Sequence, residues 1–385
     1  MRGSVAVSVG GMVALAAAVG VSRFVFTPIL PVMCAALGLS SGQAGLIASA
    51  NFLGYLLGAL LAAVPFLPGS RRGWLLGALA VSGATTAAMG VVSSLGWFLV
   101  LRFAGGAASA FVLVLASALV LDRLAAAGRL GLSSVHFAGV GVGIAVSALV
   151  VSGLLAAGAD WRMLWLVVGS VVLGAVVAVW LLMPGEGVRP VVAGGGRVRS
   201  GLAPGLGRLL VGYGLVGFGY VVTATFLVAI VRSCEAARGI EPVVWLVVGL
   251  TAVPSVAVWA RLGSVFGLRL AFSLACVVEA VGVAASVGWP SAAGVLVAAA
   301  LLGGTFMGLT ALGLAEARVL AAANPRPAFA LMTAAFGVGQ VAGPVLAGVL
   351  SDRTGGFGAA SLLAAAALVA AAVVVGARSR LVAAA

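Results

Sequence analysis

The sequence is poor in charged residues and contains no lysine. Only 8% of its 385 residues are charged, and all 21 basic residues are arginine. An average soluble protein has about a quarter charged residues, because water must wet its surface. A single very large apolar core is excluded as well, since soluble cores stop growing at about 250–300 residues. Most of the outer surface must therefore face something other than water.

The scarcity of reactive side chains excludes several kinds of site. The sequence has one histidine, eight acidic residues and three cysteines, and the cysteines show no CxxC spacing. This pattern indicates neither a disulfide framework nor a metal site, and it leaves almost no material for a nucleophile–base pair. We therefore expect neither an enzyme nor a bound cofactor. The absence of a glycine-rich phosphate loop argues against ATP-driven pumping.

The net charge of +13 does not indicate a nucleic-acid partner. Nucleic-acid binding requires a continuous basic face, whereas these arginines are spread thinly between long apolar runs. If the N-terminus is cytoplasmic, fifteen of the 21 arginines fall on the inner side, four on the outer side, and Arg23 and Arg102 within spans. Because cytoplasmic loops carry the positive excess, we expect both termini inside, in a bacterial inner membrane.

Long hydrophobic segments make up most of the chain. Hydrophobic residues make up 63% of the chain, and its mean hydropathy is +1.29. A membrane-spanning helix needs about 20 mainly apolar residues, and the first segment is too long for a signal peptide. The predicted spans are 5–33, 45–66, 73–93, 97–121, 132–156, 162–183, 208–231, 242–260, 268–288, 291–315, 328–350 and 358–377.

The two halves of the chain resemble each other. Gly141–Leu149 in the fifth predicted span matches Gly337–Val345 in the eleventh, and Gly20–Thr27 matches Gly217–Ala224 less closely at almost the same shift. Repeated halves of this kind imply a pseudo-twofold axis along the membrane normal and a solute site between them. We therefore predict an all-α membrane protein of twelve helices in two bundles. The N-terminal bundle covers residues 1–183, a cytoplasmic linker 184–207, and the C-terminal bundle 208–385.

Two arginines fall within predicted spans. A charge at the centre of a bilayer costs from about 3 to well over 10 kcal/mol, so such residues are functional candidates by default. Arg23 and Arg102 together would favour an anion such as a carboxylate, through bidentate hydrogen bonds. The alternative is that each caps backbone carbonyl groups or forms a structural pair.

Candidate proton-binding groups are few. Glu279 is the one carboxylate predicted in mid-span, where it either couples transport to protons or is a neutral structural group. His136 is a second candidate, because the pKa of an unperturbed histidine lies near physiological pH; the alternative is an ordinary interfacial histidine. Five polar residues in spans complete the candidate site, where each either binds solute or holds helices together. They are Asn51, Tyr55, Tyr220, Thr225 and Gln340.

Several strings resemble the major facilitator superfamily of transporters. Leu101–Ala108 is similar to its fourth-helix motif, and the glycine-rich fifth span to its antiporter motif, without the Gly-Pro pair. Strings that resemble the YbfB/YjiJ branch are Phe26–Pro31, Ala50–Tyr55, Gly217–Tyr220, Gly303–Gly308 and Phe336–Gln340. The resemblance covers essentially the whole chain. It implies a monomeric secondary transporter that works by alternating access.

We therefore expect proton-coupled movement of a small organic solute, anionic or amphipathic, with protons and the lipid bilayer as further partners. The glycine-rich fifth span favours export over import. A transport-like sensor or a channel without active transport is the alternative. Solute counterflow separates these functions, because a carrier exchanges labelled for unlabelled solute and the others do not.

Overall fold

The computed structural model describes residues 2–63, 69–183, 185, 205–322 and 325–377. Within these residues all regular secondary structure is helical. The linker predicted over 184–207 lies outside the described residues except for Gly185 and 205–207. The α-helices are α1 (Arg2–Leu15), α2 (Phe26–Leu37), α3 (Ser41–Ala62), α4 (Arg71–Ala88), α5 (Leu95–Ala126), α6 (Ser133–Ala156), α7 (Trp161–Leu182), α8 (Leu206–Ser233), α9 (Glu241–Phe266), α10 (Leu268–Gly288), α11 (Ala292–Leu320), α12 (Pro325–Thr354) and α13 (Gly358–Gly376).

The described helices form the predicted twelve transmembrane segments. Eleven segments are long and apolar enough to cross a membrane, and the first of these, Gly3–Leu37, contains both α1 and α2. The twelfth is α4, an 18-residue helix that packs against α5 and α7 within the same bundle. The predicted all-α architecture is thus confirmed, and the protein is a multi-pass membrane protein.

The first span changes its helical geometry halfway along. A π-helical segment, Ala16–Arg23, follows α1 directly, and at its end the amide of Phe24 donates to the carbonyl of Val19, five residues back. Pro28 and Pro31 lie in α2, and each lacks the N–H that would continue the hydrogen-bond pattern. The span is therefore irregular beside Arg23. Short π-helical segments occur frequently at functional sites.

Ion pairs at equivalent positions repeat in the two halves. In the first half, Arg71 at the start of α4 pairs with Asp122 near the end of α5, at 3.2 Å. In the second half, Arg269 at the start of α10 pairs with Glu316 near the end of α11, at 2.6 Å. These helices are the third and fourth spans of each bundle, so the pairs occupy matching places and support the predicted internal repeat.

Glycines let helix α6 approach two neighbouring helices closely. A Cβ at Gly139 would collide with the backbone of Met12, and one at Gly143 with that of Ala16, both in the first span. A Cβ at Gly141 would instead collide with the backbone of α9 at Val253. Small residues permit such close approach where lipid supplies no hydrophobic driving force. In this way α6 contacts both bundles.

Hydrogen bonds between the bundles cluster in one half of the membrane-spanning region. The Asp352 carboxylate, near the end of α12, accepts hydrogen bonds of 2.9 Å from the hydroxyl of Ser40 and the amides of Ser41 and Gly42 at the start of α3. Ser49 also donates to the carbonyl of Val341, at 2.8 Å. These contacts close the end of the molecule that carries the short 37–41 loop.

Candidate functional site

Arg23 is buried between the two bundles and has no acidic partner among the described residues. It ends the π-helical segment and is 5% exposed. Its guanidinium carbon lies 3.8 Å from the ring centroid of Tyr55 and 4.7 Å from that of Phe52. Its Nε and Nη2 atoms have no hydrogen-bond partner in the described residues. The charge is therefore surrounded by aromatic rings, and two donors are unused.

Arg102 contacts the backbone that carries Arg23. Its Nη1 and Nη2 atoms donate to the carbonyls of Ser22, at 3.3 Å, and Arg23, at 3.1 Å. Its guanidinium also lies 4.8 Å from the Phe26 ring centroid. Asn51 in turn donates from Nδ2 to the carbonyl of Arg102, at 2.8 Å. Together Arg102 and Asn51 fasten α5 and α3 to the irregular part of the first span.

An aromatic wall faces this region from the C-terminal bundle. Tyr220 of α8 stacks on Phe306 of α11, with centroids 5.8 Å apart, and on Phe336 of α12, at 5.6 Å. Gln340 donates from Nε2 to the hydroxyl of Tyr220. Its Oε1 atom is buried and has no partner among the described residues. The wall thus combines parallel ring faces with one unused acceptor.

Phe24 joins the two sides of the site. Its ring lies 5.9 Å from that of Phe306, nearly edge-on, and 6.4 Å from that of Trp245 in α9. A second link lies one turn further along the first span, where Thr27 donates to the carbonyl of Ala224 at 2.6 Å. Arg23 and the stacked wall therefore lie at the same junction between the bundles.

Glu279 is fully buried within the C-terminal bundle. It is 0% exposed, and Thr305 on α11 is its polar neighbour. Neither carboxylate oxygen has hydrogen-bond geometry with a described residue, and none of the ion pairs seen in the described residues includes it. A carboxylate in such a place is strongly disfavoured unless a proton or another charge neutralises it.

His136 is buried in the N-terminal bundle, away from the aromatic wall. It is 0% exposed, and its Nε2 atom lies 2.9 Å from the Ser117 hydroxyl of α5. Its Nδ1 atom lies so close to Gly11 that a Cβ there would collide with it. Within the described residues, no group of three or more metal-binding side chains occurs.

The structure brings six of the nine predicted residues together in three pairs. Arg23 and Tyr55 lie together on the N-terminal side, and Tyr220 and Gln340 on the C-terminal side. Arg102 and Asn51 contact each other behind Arg23. Thr225 is buried in α8, next to the Ala224 carbonyl that accepts from Thr27. His136 and Glu279 lie in different bundles.

Sequence reasoning identified the two tyrosines but not the phenylalanine and tryptophan residues of the site. Phe52, Phe306 and Phe336 each lie within a string quoted for its family resemblance, but phenylalanine is common in any membrane span. The missed residues are Phe24, Phe52, Trp245, Phe306 and Phe336.

Comparison with known proteins gives the same architecture. The family model described as "Uncharacterised MFS-type transporter YbfB" matches residues 15–376. No curated protein matches this chain in sequence.

Solved structures of transporters are similar over almost the whole chain. The nucleoside transporter NupG, as its D323A mutant, has a TM-score of 0.75 at 14% identity, covering 97% of this chain and 99% of its own. A bacterial homologue of the human lysosomal transporter Spinster, in an inward-facing and unoccupied conformation, has a TM-score of 0.64 at 15% identity, covering 97% and 94%. At these identities the likeness shows the fold alone.

Proposed function

The chain belongs to the YbfB-type family of MFS transporters, and from this membership we propose that it is a proton-coupled secondary transporter of a small organic anion. It works by alternating access in the bacterial inner membrane, as a monomer with both termini in the cytoplasm, and export is the favoured direction. Family and fold are those of transporters and not of enzymes.

The observation that supports an anionic solute is the unpaired charge of Arg23. A cation–π contact contributes about 0.5–2 kcal/mol, whereas a charged side chain at the bilayer centre costs at least about 2.5–3.5 kcal/mol. The rings reduce this cost and leave the charge without a counter-ion. An anionic solute would supply the counter-ion and use the free Nε and Nη2 donors.

Four of the predicted residues form the binding site in this proposal: Arg23 and Tyr55 on one side, Tyr220 and Gln340 on the other. Arg102 and Asn51 support it from behind, because they hold the backbone on which Arg23 lies. Thr225 lies beside the Thr27 link and contributes to the closed junction between the bundles.

Alternating access is supported by where the bundles are joined. The hydrogen bonds between bundles in the described residues run from Thr27, Ser49 and Ser152 and into Asp352, with a further one between Ser351 and Ser41, all in the half that carries the 37–41 loop. In the proposed orientation this half is outer, so the structure corresponds to a carrier closed towards the outside.

Proton coupling is proposed to involve Glu279 and His136. No ion pair among the described residues neutralises Glu279, so a proton is the simplest neutralising charge. It lies on the same bundle as the Tyr220 wall. His136 is a second candidate in the other bundle, where Ser117 already engages one ring nitrogen.

Counterflow in proteoliposomes tests this function. We expect the wild-type protein, loaded with unlabelled benzoate or lactate, to accumulate the labelled anion transiently. Arg23→Gln should lower the exchange rate at least about tenfold, since hydrogen bonds to charged groups contribute about 1.5–3 kcal/mol. Arg261→Gln is the matched control, because it removes the same charge from an exposed position on α9.

Other outcomes would contradict the proposal. Passive flux of the anions without accelerated exchange would indicate a channel. Binding without any flux would indicate a sensor. Exchange that is equal in wild type and Arg23→Gln would remove Arg23 as the anion-binding group.

A further inference from the structure

We propose that the site selects planar aromatic carboxylates, with the carboxylate on Arg23 and the ring beside the stacked wall of Phe306, Tyr220 and Phe336. This inference rests on the organic-anion function proposed above and specifies the shape of the anion. It follows from which atoms of Arg23 are free and from what surrounds them.

The unused donors of Arg23 have the geometry for a carboxylate. Nε and Nη2 lie on the same edge of the guanidinium group, and both lack a partner among the described residues. Two parallel N–H groups on one edge match the two oxygens of a carboxylate, so the pair binds bidentately. A single hydroxyl or carbonyl oxygen would engage only one of them. The charge and the fork geometry therefore favour a carboxylate over a neutral group.

Aromatic rings continue from this cation into the C-terminal bundle. Phe24 follows Arg23 in sequence and lies nearly edge-on to Phe306, at 73°. The rings of Phe306, Tyr220 and Phe336 are close to parallel, with interplanar angles of 9° and 18°. A solute held by its carboxylate on Arg23 would thus have aromatic faces and edges as neighbours. An aromatic body gains from such contacts beyond the burial of its area.

The stack of Phe226 on Phe357 does not have this property. These two rings have centroids 4.5 Å apart, but no cation–π contact with an arginine involves either of them among the described residues. The row at Phe306 differs because its next neighbour, Phe24, lies 5.6 Å from the guanidinium of Arg23. The combination of a free cationic fork and an aromatic row is what points to an aromatic anion.

A set of four probes on the purified wild-type protein tests this selectivity. Benzoate has both features, cyclohexanecarboxylate keeps the charge and approximate size without aromaticity, benzamide keeps the ring without the charge, and uridine is a neutral planar solute. By titration calorimetry we expect benzoate to bind about 2–10-fold more tightly than cyclohexanecarboxylate. Benzamide and uridine should bind at least about tenfold more weakly than benzoate.

Two variants locate the preference on the aromatic wall. Phe306→Leu keeps an apolar side chain and removes the ring, and it should bring the affinity for benzoate down to that for cyclohexanecarboxylate. Phe226→Leu removes a stacked ring away from the site and should leave the ratio unchanged. Gel filtration and the melting temperature without ligand show whether each variant is folded.

The possible failures are distinguishable. If benzoate and cyclohexanecarboxylate bind and exchange equally, the aromatic preference is wrong and the organic-anion function stands. If benzamide or uridine binds as tightly as benzoate, recognition by the Arg23 fork is wrong. If no carboxylate binds or exchanges, both the inference and the function beneath it are overturned.

Discussion

The N-terminal and C-terminal bundles share a frame and differ in the chemistry of their inner walls. Both carry an ion pair between the third and fourth spans, at Arg71–Asp122 and Arg269–Glu316. The N-terminal bundle buries two arginines, Arg23 and Arg102, whereas the C-terminal bundle buries Glu279 and presents stacked rings. The comparison shows that a repeated scaffold has been retained while its two inner faces have diverged.

This divergence separates tasks between the halves. The Arg23 cation of the first bundle lies among aromatic rings, and Arg102 and Asn51 hold the backbone that carries it. The second bundle offers apolar faces and the buried carboxyl of Glu279, which has no ion-pair partner among the described residues. A solute between the bundles would therefore meet its charge partner on one side and its shape partner on the other.

The largest effect on stability is expected for Arg102, which holds the backbone of the first span in the N-terminal bundle. Arg102→Met should lower the free energy of unfolding by about 3 kcal/mol, since two hydrogen bonds from a charged donor are lost and each contributes about 1.5–3 kcal/mol. In the second half, Gln340→Leu removes a neutral hydrogen bond and should cost about 1 kcal/mol. Unfolding in a denaturing detergent series measures both. Equal losses would break the contrast between the bundles.

A second comparison concerns which half binds the coupled proton. Glu279→Gln should reduce benzoate accumulation driven by a pH gradient at least about tenfold, a difference of about 1.4 kcal/mol, while counterflow persists. His136→Gln should have the smaller effect, because Ser117 already engages that ring. Gradient-driven uptake in proteoliposomes decides between them, and the reverse order would place the coupling in the N-terminal bundle.

Removing the charge of Asp352, which links the two bundles, should have an effect smaller than that of Glu279→Gln and larger than that of breaking the repeated ion pairs. A negative charge at a helix N-terminus contributes about 0.3–1 kcal/mol, so Asp352→Asn should shift the equilibrium towards opening at this end by up to about fivefold. Spin labels at Ala36→Cys and Ala359→Cys, on a background without the native cysteines, report the separation.

Asp160→Asn provides the control for this measurement. Asp160 also caps a helix N-terminus. Its carboxylate accepts a hydrogen bond of 2.9 Å from the amide of Met163 in its own helix, α7, rather than from the other bundle. The distance distribution should stay as in the wild type. An equal shift in both variants would show that general helix stability, rather than the bridge from α12 to α3, sets the equilibrium.

The smallest effect is expected from the repeated ion pairs. Both partners of Arg71–Asp122 are exposed, at 41% and 58%, and such pairs contribute about 0.2–1 kcal/mol. Glu316 is only 8% exposed, so the Arg269–Glu316 pair should be the stronger of the two. Double-mutant cycles on each pair measure the coupling free energy, and a larger value for Arg71–Asp122 would reverse the expected ranking.

The fold could be predicted almost completely from the sequence. Apolar length sets the spans, and the match between Gly141–Leu149 and Gly337–Val345 indicates the repeat. The π-helical segment could not be predicted, because Pro28 and Pro31 indicate only that the first span is irregular. At its end, Arg102 from another helix donates to the carbonyls of Ser22 and Arg23, a contact that the local sequence does not contain.

The site was predictable where charge or polarity stands out against an apolar background. Arg23, Tyr220 and Gln340 attract notice in a span for that reason. Phe306 and Phe336 of the aromatic wall were not predicted, because a phenylalanine in a membrane helix gives no sign of which neighbour it faces. Contacts such as that between Phe24 and Phe306 depend on how two distant helices pack, which local sequence does not contain.

The π-helical segment Ala16–Arg23 fixes the number of residues between the contacts of α1 with α6 and the side chain of Arg23. Each residue of an α-helix turns the chain by about 100°, so deleting one residue from α1, just before this segment, would rotate everything on one side of the deletion relative to the other. Either α1 would lose its glycine contacts with α6, or Arg23 would leave the Tyr55 ring. Length variation in this part of the chain should therefore be tolerated far less than substitution.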